Sequence, residues 1–153
     1  EVGQLLGEKS LTIAVGEACT AGLIGSMLCS VAGSSRYFYG GVIAYTGGSK
    51  AGLMGIPQET LDREGTVSPA IAVEMARSAR RLLNTDLGVS TTGVAGPTGG
   101  SSDRPIGRFY VGVSTADGYE EAKELQWFGD RNANREKTAI AALDLVKYYL
   151  LTK

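Results

Sequence analysis

Three short segments hold residue types able to act on a ligand: Gly-Glu-Ala-Cys-Thr-Ala-Gly at 16–22, Tyr-Thr-Gly-Gly-Ser-Lys at 45–50 and Thr-Thr-Gly-Val-Ala-Gly-Pro-Thr-Gly-Gly at 91–100. Between them they offer a thiol (Cys19), hydroxyls (Thr20, Thr92), a phenol (Tyr45) and an amine (Lys50). Tyr45 and Lys50 beside a glycine turn suit general-base work or a mutual lowering of pKa. Each segment follows an apolar stretch that reads as a strand. In an open α/β sheet, ligands bind in the crevice beyond the carboxyl ends of the strands, so the three segments are expected to converge on one site. The first also precedes a helix, whose N-terminal amides and dipole favour an anion such as a phosphate. Taken singly, each segment also reads as structure, because glycines at strand ends make turns and a tyrosine ending a strand often packs in a core or rim.

Several chemistries are excluded. The chain has no histidine, which removes Ser-His-Asp and Cys-His nucleophile systems and any imidazole-ligated metal. Segment 91–100 contains neither G-x-x-x-x-G-K-[ST] nor a clean G-x-G-x-x-G. Tyr45 and Lys50 are one residue further apart than the Tyr-x-x-x-Lys pair of hydride-transferring short-chain enzymes. Cys19 and Cys29 match neither C-x-x-C nor a zinc spacing, and free thiols suit a reducing compartment.

The elements that must position these residues follow from hydrophobic spacing. Leu11 to Val15 reads as a central strand buried on both faces. A helix then carries Leu23, Ile24, Met27, Leu28 and Val31, with Thr20 expected as its N-cap. Gly40 to Tyr45 reads as a second strand ended by Gly47 and Gly48, and Pro57 opens a short helix through Arg63. Ser68-Pro69 caps a helix striped by Ile71, Met75, Ala79 and Leu82. Strand signals return at Leu87–Ser90, Arg108–Ser114 and Ala122–Phe128, with Gly118 turning the last two into a hairpin. A closing helix runs from about Asn134 to Leu151. The expected fold is one α/β domain over 1–153: a three-layer α/β/α sandwich around a mixed, mostly parallel central sheet. Residues 93–107 form a long glycine- and proline-rich loop, a kind that in compact domains is usually functional or mobile.

Composition narrows the setting. At 153 residues the chain can bury a core without disulfides. Fifteen Lys and Arg against 16 Asp and Glu give a net charge of −1, which argues against a nucleic-acid partner. No apolar run reaches the ~20 residues of a membrane span, and the first ten residues lack a signal-peptide pattern, so a cytoplasmic location without membrane association is expected.

Together with Gly-Ser-Ser at 33–35, Gly-Thr-Val-Ser at 65–68, Arg-Pro-Ile-Gly at 104–107 and Phe-Gly-Asp-Arg at 128–131, the three segments resemble the C-terminal domain of the competence-damage-inducible CinA family, in order over nearly the whole chain. Characterised members are nicotinamide-nucleotide amidases. The resemblance implies hydrolysis of the carboxamide of nicotinamide mononucleotide to nicotinate mononucleotide and ammonia, with no metal or organic cofactor. It also implies a homo-oligomer and, in many members, a separate cofactor-binding-like domain fused upstream. The family's first motif reads Glu-Ser-Cys-Thr-Gly-Gly, and its serine is the presumed nucleophile. That place is held here by Ala18. The same matching puts Tyr45 and Lys50 on the residues that activate the serine, Thr92 on the hydroxyl of the T-G-x-A-G-P loop and Arg131 on or beside a basic residue near the substrate. The implied binding positions are Cys19, Thr20, Gly22, Ser34, Ser35, Gly93, Ala95, Gly96, Gly99 and Arg131. Ala21 replaces the glycine usual in the family.

An alanine methyl cannot attack a carbonyl, so the covalent route is closed unless a neighbour substitutes. The side chain of Cys19, adjacent in a turning backbone, is expected to point elsewhere, and Thr20 is better used as a cap. The chain is therefore expected to be an inactive or weak amidase. The alternative is a non-catalytic module that binds a pyridine nucleotide or associates with itself.

Overall fold

A computed structural model describes residues 1–153. In chain order the elements are α1 (Val2–Lys9), β1 (Ile13–Glu17), α2 (Leu23–Cys29), a 3₁₀ turn (Ser34–Arg36), β2 (Phe38–Ile43), α3 (Gly47–Met54) and α4 (Gln58–Glu64). They continue with α5 (Pro69–Leu83), β3 (Leu87–Gly93), β4 (Arg108–Thr115), β5 (Glu120–Gln126) and α6 (Arg131–Thr152). The sheet order is β2-β1-β3-β4-β5. β1 pairs in parallel with both β2 and β3, whereas β4 is antiparallel to β3 and to β5. The sheet is therefore mixed, and β4 alone runs against the other four strands.

Alternation along the strands creates two cores. Ile13 and Val15 join Val89, Val111 and Val113 under α1, α2 and α6. Ala14, on the opposite face, joins Ile71, Met75 and Ala79 of α5 with Met54, Ile56 and Leu61. A three-layer α/β/α arrangement results, each face too apolar to be left to water. α5 lies unusually close on the sheet. A methyl group at Gly88 would fall 1.9 Å from the Ala76 carbonyl oxygen, and one at Gly112 would fall 2.5 Å from that of Ala72. Side-chain-free strand positions are what allow the helix backbone to approach.

The connections place a switch point at β1. The β1–β2 connection runs through α2 on one face, and the β2–β3 connection runs through α3, α4 and α5 on the other. The carboxyl ends of β1, β2 and β3 open there side by side, the position where open α/β sheets take their ligands.

Two helices depart from the sequence reading. Residues 2–9 are helical, and 47–54 form α3 where a glycine-ended turn was expected. α3 forms despite Gly47 and Gly48 because Thr46 accepts from the Ser49 amide at 3.2 Å while the Ser49 hydroxyl accepts from the Thr46 amide at 3.0 Å, a reciprocal capping box. α6 begins at Arg131 rather than near Asn134, because Asp130 caps it through the Ala133 amide at 2.8 Å. Ser68 caps α5 through the Ile71 amide, with Pro69 in the first turn as the sequence suggests.

Candidate active site

The chain turns sharply after β1. The first residue past the strand, Ala18, donates its amide to the Thr91 carbonyl of β3, and Ala21 follows with φ 46°, a left-handed conformation costly for a residue with a Cβ. The glycine that the resemblance implies at this position would carry no such strain. Thr20 is not the cap of α2. Gly22 occupies the cap position, and the helix amides are satisfied from the strand instead: Glu17, fully buried, accepts from the amides of Ile24 and Gly25, each at 3.0 Å, and from the Thr20 hydroxyl at 2.6 Å. The expected anion at the start of α2 is thus the protein's own carboxylate. A substrate phosphate finds that place taken.

A cavity of about 130 Å³ lies at the carboxyl ends of β1, β2 and β3, lined by Ala18, Cys19, Tyr45, Lys50, Thr66, Val67, Thr92, Gly93 and Ala95. All three segments singled out in the sequence reach it. Lys50, in the first turn of α3, is 2% exposed and donates from Nζ to the Ala44 carbonyl at 3.1 Å and the Tyr45 carbonyl at 3.5 Å. Burial without a carboxylate partner holds its pKa below the ordinary 10.5, with the Cys19 thiol acting weakly in the opposite sense. An amine so placed is closer to the neutral form that can accept a proton. Tyr45 is about half exposed, and its phenol oxygen accepts from Arg131 Nη2 at 2.8 Å. Arg131 also donates to the Gly96 carbonyl at 2.7 Å. The Thr92 hydroxyl is buried and donates to the Thr66 carbonyl at 2.6 Å, which leaves its lone pairs to accept.

Cys19 departs from expectation, because the turn at 18–21 brings it to the same cavity as Ala18. It does not replace the missing hydroxyl. Burial pushes its thiol up to about 12, only partly countered by the Thr91 hydroxyl, so it holds its proton at neutral pH and is a poor nucleophile.

A second hollow of about 470 Å³ shares Ala95 with the first and is otherwise lined by Gly96, Pro97, Ile106, Gly129, Asp130 and Arg131. Gly99 is exposed in the same loop and lines neither hollow, and Gly22 serves as the start of α2. Ser34 and Ser35 are not brought to the cavity. Their 3₁₀ turn precedes β2, whereas the cavity lies beyond that strand's carboxyl end. No group of three His, Cys, Asp or Glu side chains is placed to hold a metal ion, and no helix is long and apolar enough to cross a membrane.

Arg135, Asn134 and Thr66 escaped the sequence reading. Arg135 Nε donates to the Cys19 carbonyl at 2.8 Å and Nη2 to that of Thr20 at 3.3 Å, while Asn134 Nδ2 donates to the Ala95 carbonyl at 3.3 Å. For Arg135 and Asn134 the only sequence signal is the spacing of 131, 134 and 135, which puts three polar side chains on one helix face; Thr66 stands in the Gly-Thr-Val-Ser motif but is given no role there.

The family model described as "CinA C-terminal domain" matches residues 1–150. A putative competence-damage inducible protein of Halothermothrix orenii is 45% identical over 150 residues, spanning 98% of this chain and 36% of that protein. A CinA-like protein of Geobacter sulfurreducens is 42% identical over 151 residues, again 36% of its length. The chain thus spans about a third of these curated relatives. Among solved structures, a competence/damage inducible protein from Agrobacterium tumefaciens superposes with a TM-score of 0.92 at 30% identity, covering 99% of this chain and 96% of that one. A CinA superfamily protein from Klebsiella pneumoniae gives 0.94 at 24% identity over 99% and 94%, a likeness of fold.

Proposed function

The chain belongs to the CinA C-terminal domain family, and from that membership we propose that its 18/45/50/92 cavity is an amidohydrolase site for nicotinamide mononucleotide, short of its nucleophile. The observation that carries this reading is that Ala18 shares a cavity with a buried lysine whose pKa is lowered and which has no acidic partner. A hydroxyl at position 18 would stand among groups suited to take its proton, Lys50 first and Tyr45 beside it. Attack on the carboxamide would form a serine ester and release ammonia, and water would then release nicotinate mononucleotide. A cavity of 130 Å³ is below the ~300–1,000 Å³ of ordinary small-molecule sites, so the pyridine carboxamide enters it while ribose and phosphate occupy the adjoining hollow beneath Arg131. With Glu17 filling the start of α2, Arg131 is the cation left for the phosphate.

The methyl group of Ala18 favours a second reading, a module that binds a pyridine nucleotide without converting it. One experiment separates the two. Nicotinamide mononucleotide binding is titrated calorimetrically, and ammonia release is then measured for the chain and for Ala18→Ser. The amidase reading expects binding by both and a gain of about 100-fold or more in the serine form, the scale of a positioned, base-assisted nucleophile. Binding by both with no ammonia from either establishes the module. Substantial turnover by the alanine form overturns the serine mechanism. Self-association and a cytoplasmic setting belong to the same proposal.

A further inference from the structure

With a methyl group at position 18, the nucleophile of the cavity has to be sought among its other lining residues. The Cys19 thiol is pushed up to about 12 by burial and keeps its proton. The Thr92 hydroxyl spends its hydrogen on the Thr66 carbonyl rather than on a base, and an unassisted hydroxyl attacks poorly. Lys50 remains, and its amine lines the same space.

The surroundings of Lys50 suit the free amine. An ammonium carries three N–H donors and a neutral amine two. Nζ has two protein acceptors, the carbonyls of Ala44 and Tyr45, and no carboxylate. A neutral amine gives one N–H to each and turns its lone pair away from them. Both carbonyls belong to the chain just past β2, so the lone pair faces away from that strand end; β1 and β3 are the next strands of the sheet, and they bring Ala18 and Thr92 to the cavity. The other lysines differ. Lys9, Lys123, Lys137 and Lys153 are exposed, and Lys147 pairs with Glu1.

We propose that Lys50 is a covalent capture site for small aldehydes, which it binds in the cavity as an imine. The Nζ lone pair forms the C–N bond while the carbonyl π pair passes to oxygen, and one N–H proton moves to that oxygen. Tyr45 accepts from Arg131 and keeps its own O–H, which protonates the new hydroxyl. The C–O bond then breaks, water leaves, and the remaining N–H proton returns to the phenolate, so aldehyde and amine give imine and water. At about 130 Å³ the cavity is close to the ~150 Å³ that holds a benzene ring, and an aromatic aldehyde of one ring is the ligand class. The amine site stands independently of amide hydrolysis; only the choice of a pyridine ring rests on the amidase reading.

The test treats the whole chain at pH 7 with pyridine-3-carboxaldehyde and, separately, with propanal, each with cyanoborohydride, and locates the label by peptide mass. One group is expected on Lys50, at a rate that saturates with aldehyde and before the exposed lysines react, with loss of that label in Lys50→Met. The aldehyde labelled with ¹³C at its carbonyl reads the imine without reductant, as a resonance shifted from aldehyde to imine and absent in the variant. Should Lys50→Met fail to fold, the peptide map of the unsubstituted chain decides alone. Label confined to exposed lysines, or reaching Lys50 no faster than them, overturns the proposal. Nicotinamide mononucleotide binding to a chain whose Lys50 captures neither aldehyde overturns it too and leaves the proposed substrate intact. Capture of propanal but not of the pyridine aldehyde sustains the amine site and counts against the pyridine substrate.

Discussion

Glu17→Gln is the most searching perturbation of the loop that shapes the cavity, because theory offers it two opposite outcomes. Replacing a buried charge by a neutral isostere removes a desolvation cost and can stabilise a protein. Here the carboxylate accepts three hydrogen bonds, two from the exposed amide end of α2 and one from Thr20, and no cation competes for it. A glutamine can keep its carbonyl on Thr20 and Ile24, but its NH₂ must then face the Gly25 amide, donor against donor. One charge-assisted bond worth about 1.5–3 kcal/mol is lost. The other two fall to neutral strength, roughly half, and the favourable charge at the helix terminus, about 0.3–1 kcal/mol or more, disappears. These losses come to about 3–7 kcal/mol; relief of the buried charge returns part of that, and a net loss of about 3–4 kcal/mol is expected, equivalent to about 6–16 °C in Tm for a domain of this size. Thermal unfolding by circular dichroism at pH 7, checked by urea titration for an unchanged m-value, measures it. A Tm equal to or above that of the unsubstituted chain would refute the reasoning and show that desolvation outweighs the three bonds.

Other outcomes follow from features of the same scaffold. Gly88→Ala drives a methyl into the Ala76 carbonyl and must lift α5 from the sheet, costing at least about 3 kcal/mol, the upper range for overpacking; Gly7→Ala, where nothing lies within 4 Å on α1, gains about 0.5–1 kcal/mol by comparison in the same denaturant assay. For Lys50, the folded pKa lies below the unfolded value of 10.5, so the unfolded chain binds more protons and stability rises with pH between the two values. Lys50→Met should therefore be more stable than the parent at neutral pH, with the gap closing as pH approaches 10.5 in a series of melts. A maleimide at pH 7.5 should label exposed Cys29 and spare Cys19 until the protein is unfolded, as read by peptide mass.

The parts of this architecture written in local signals were legible beforehand. Ser68-Pro69 marks a helix start, Gly118 marks a hairpin, and apolar runs mark β1 and β3; each states its structure within a few residues. α3 was hidden because two glycines suggest a turn, while the Thr46 and Ser49 capping pair that overrules them reads as ordinary polar sequence. Glu17 was read past because its partners are main-chain amides seven and eight residues on, which have no signature in side-chain identity. Ser34 and Ser35 illustrate the reverse case. Their motif is plain, yet sequence order alone does not say that the turn before β2 and the turn after it lie at opposite ends of the sheet.

The grip of α6 on the cavity loops has a consequence for the order in which the protein is made. Arg135 is 116 positions after Cys19, so at the ~5–20 residues per second of synthesis the 18–20 turn exists for several seconds or more before the side chain that orders it leaves the ribosome. During that interval β1, β3 and α5 can already pair and pack, but the loop carbonyls have no arginine and the second core lacks nothing from α6. The larger core, which α6 completes through Ala139, Ala142, Val146 and Leu150, stays open to water for as long. Binding competence is thereby tied to closure of the apolar core, and a truncated or stalled chain would present exposed apolar surface to chaperones and no formed pocket to a ligand.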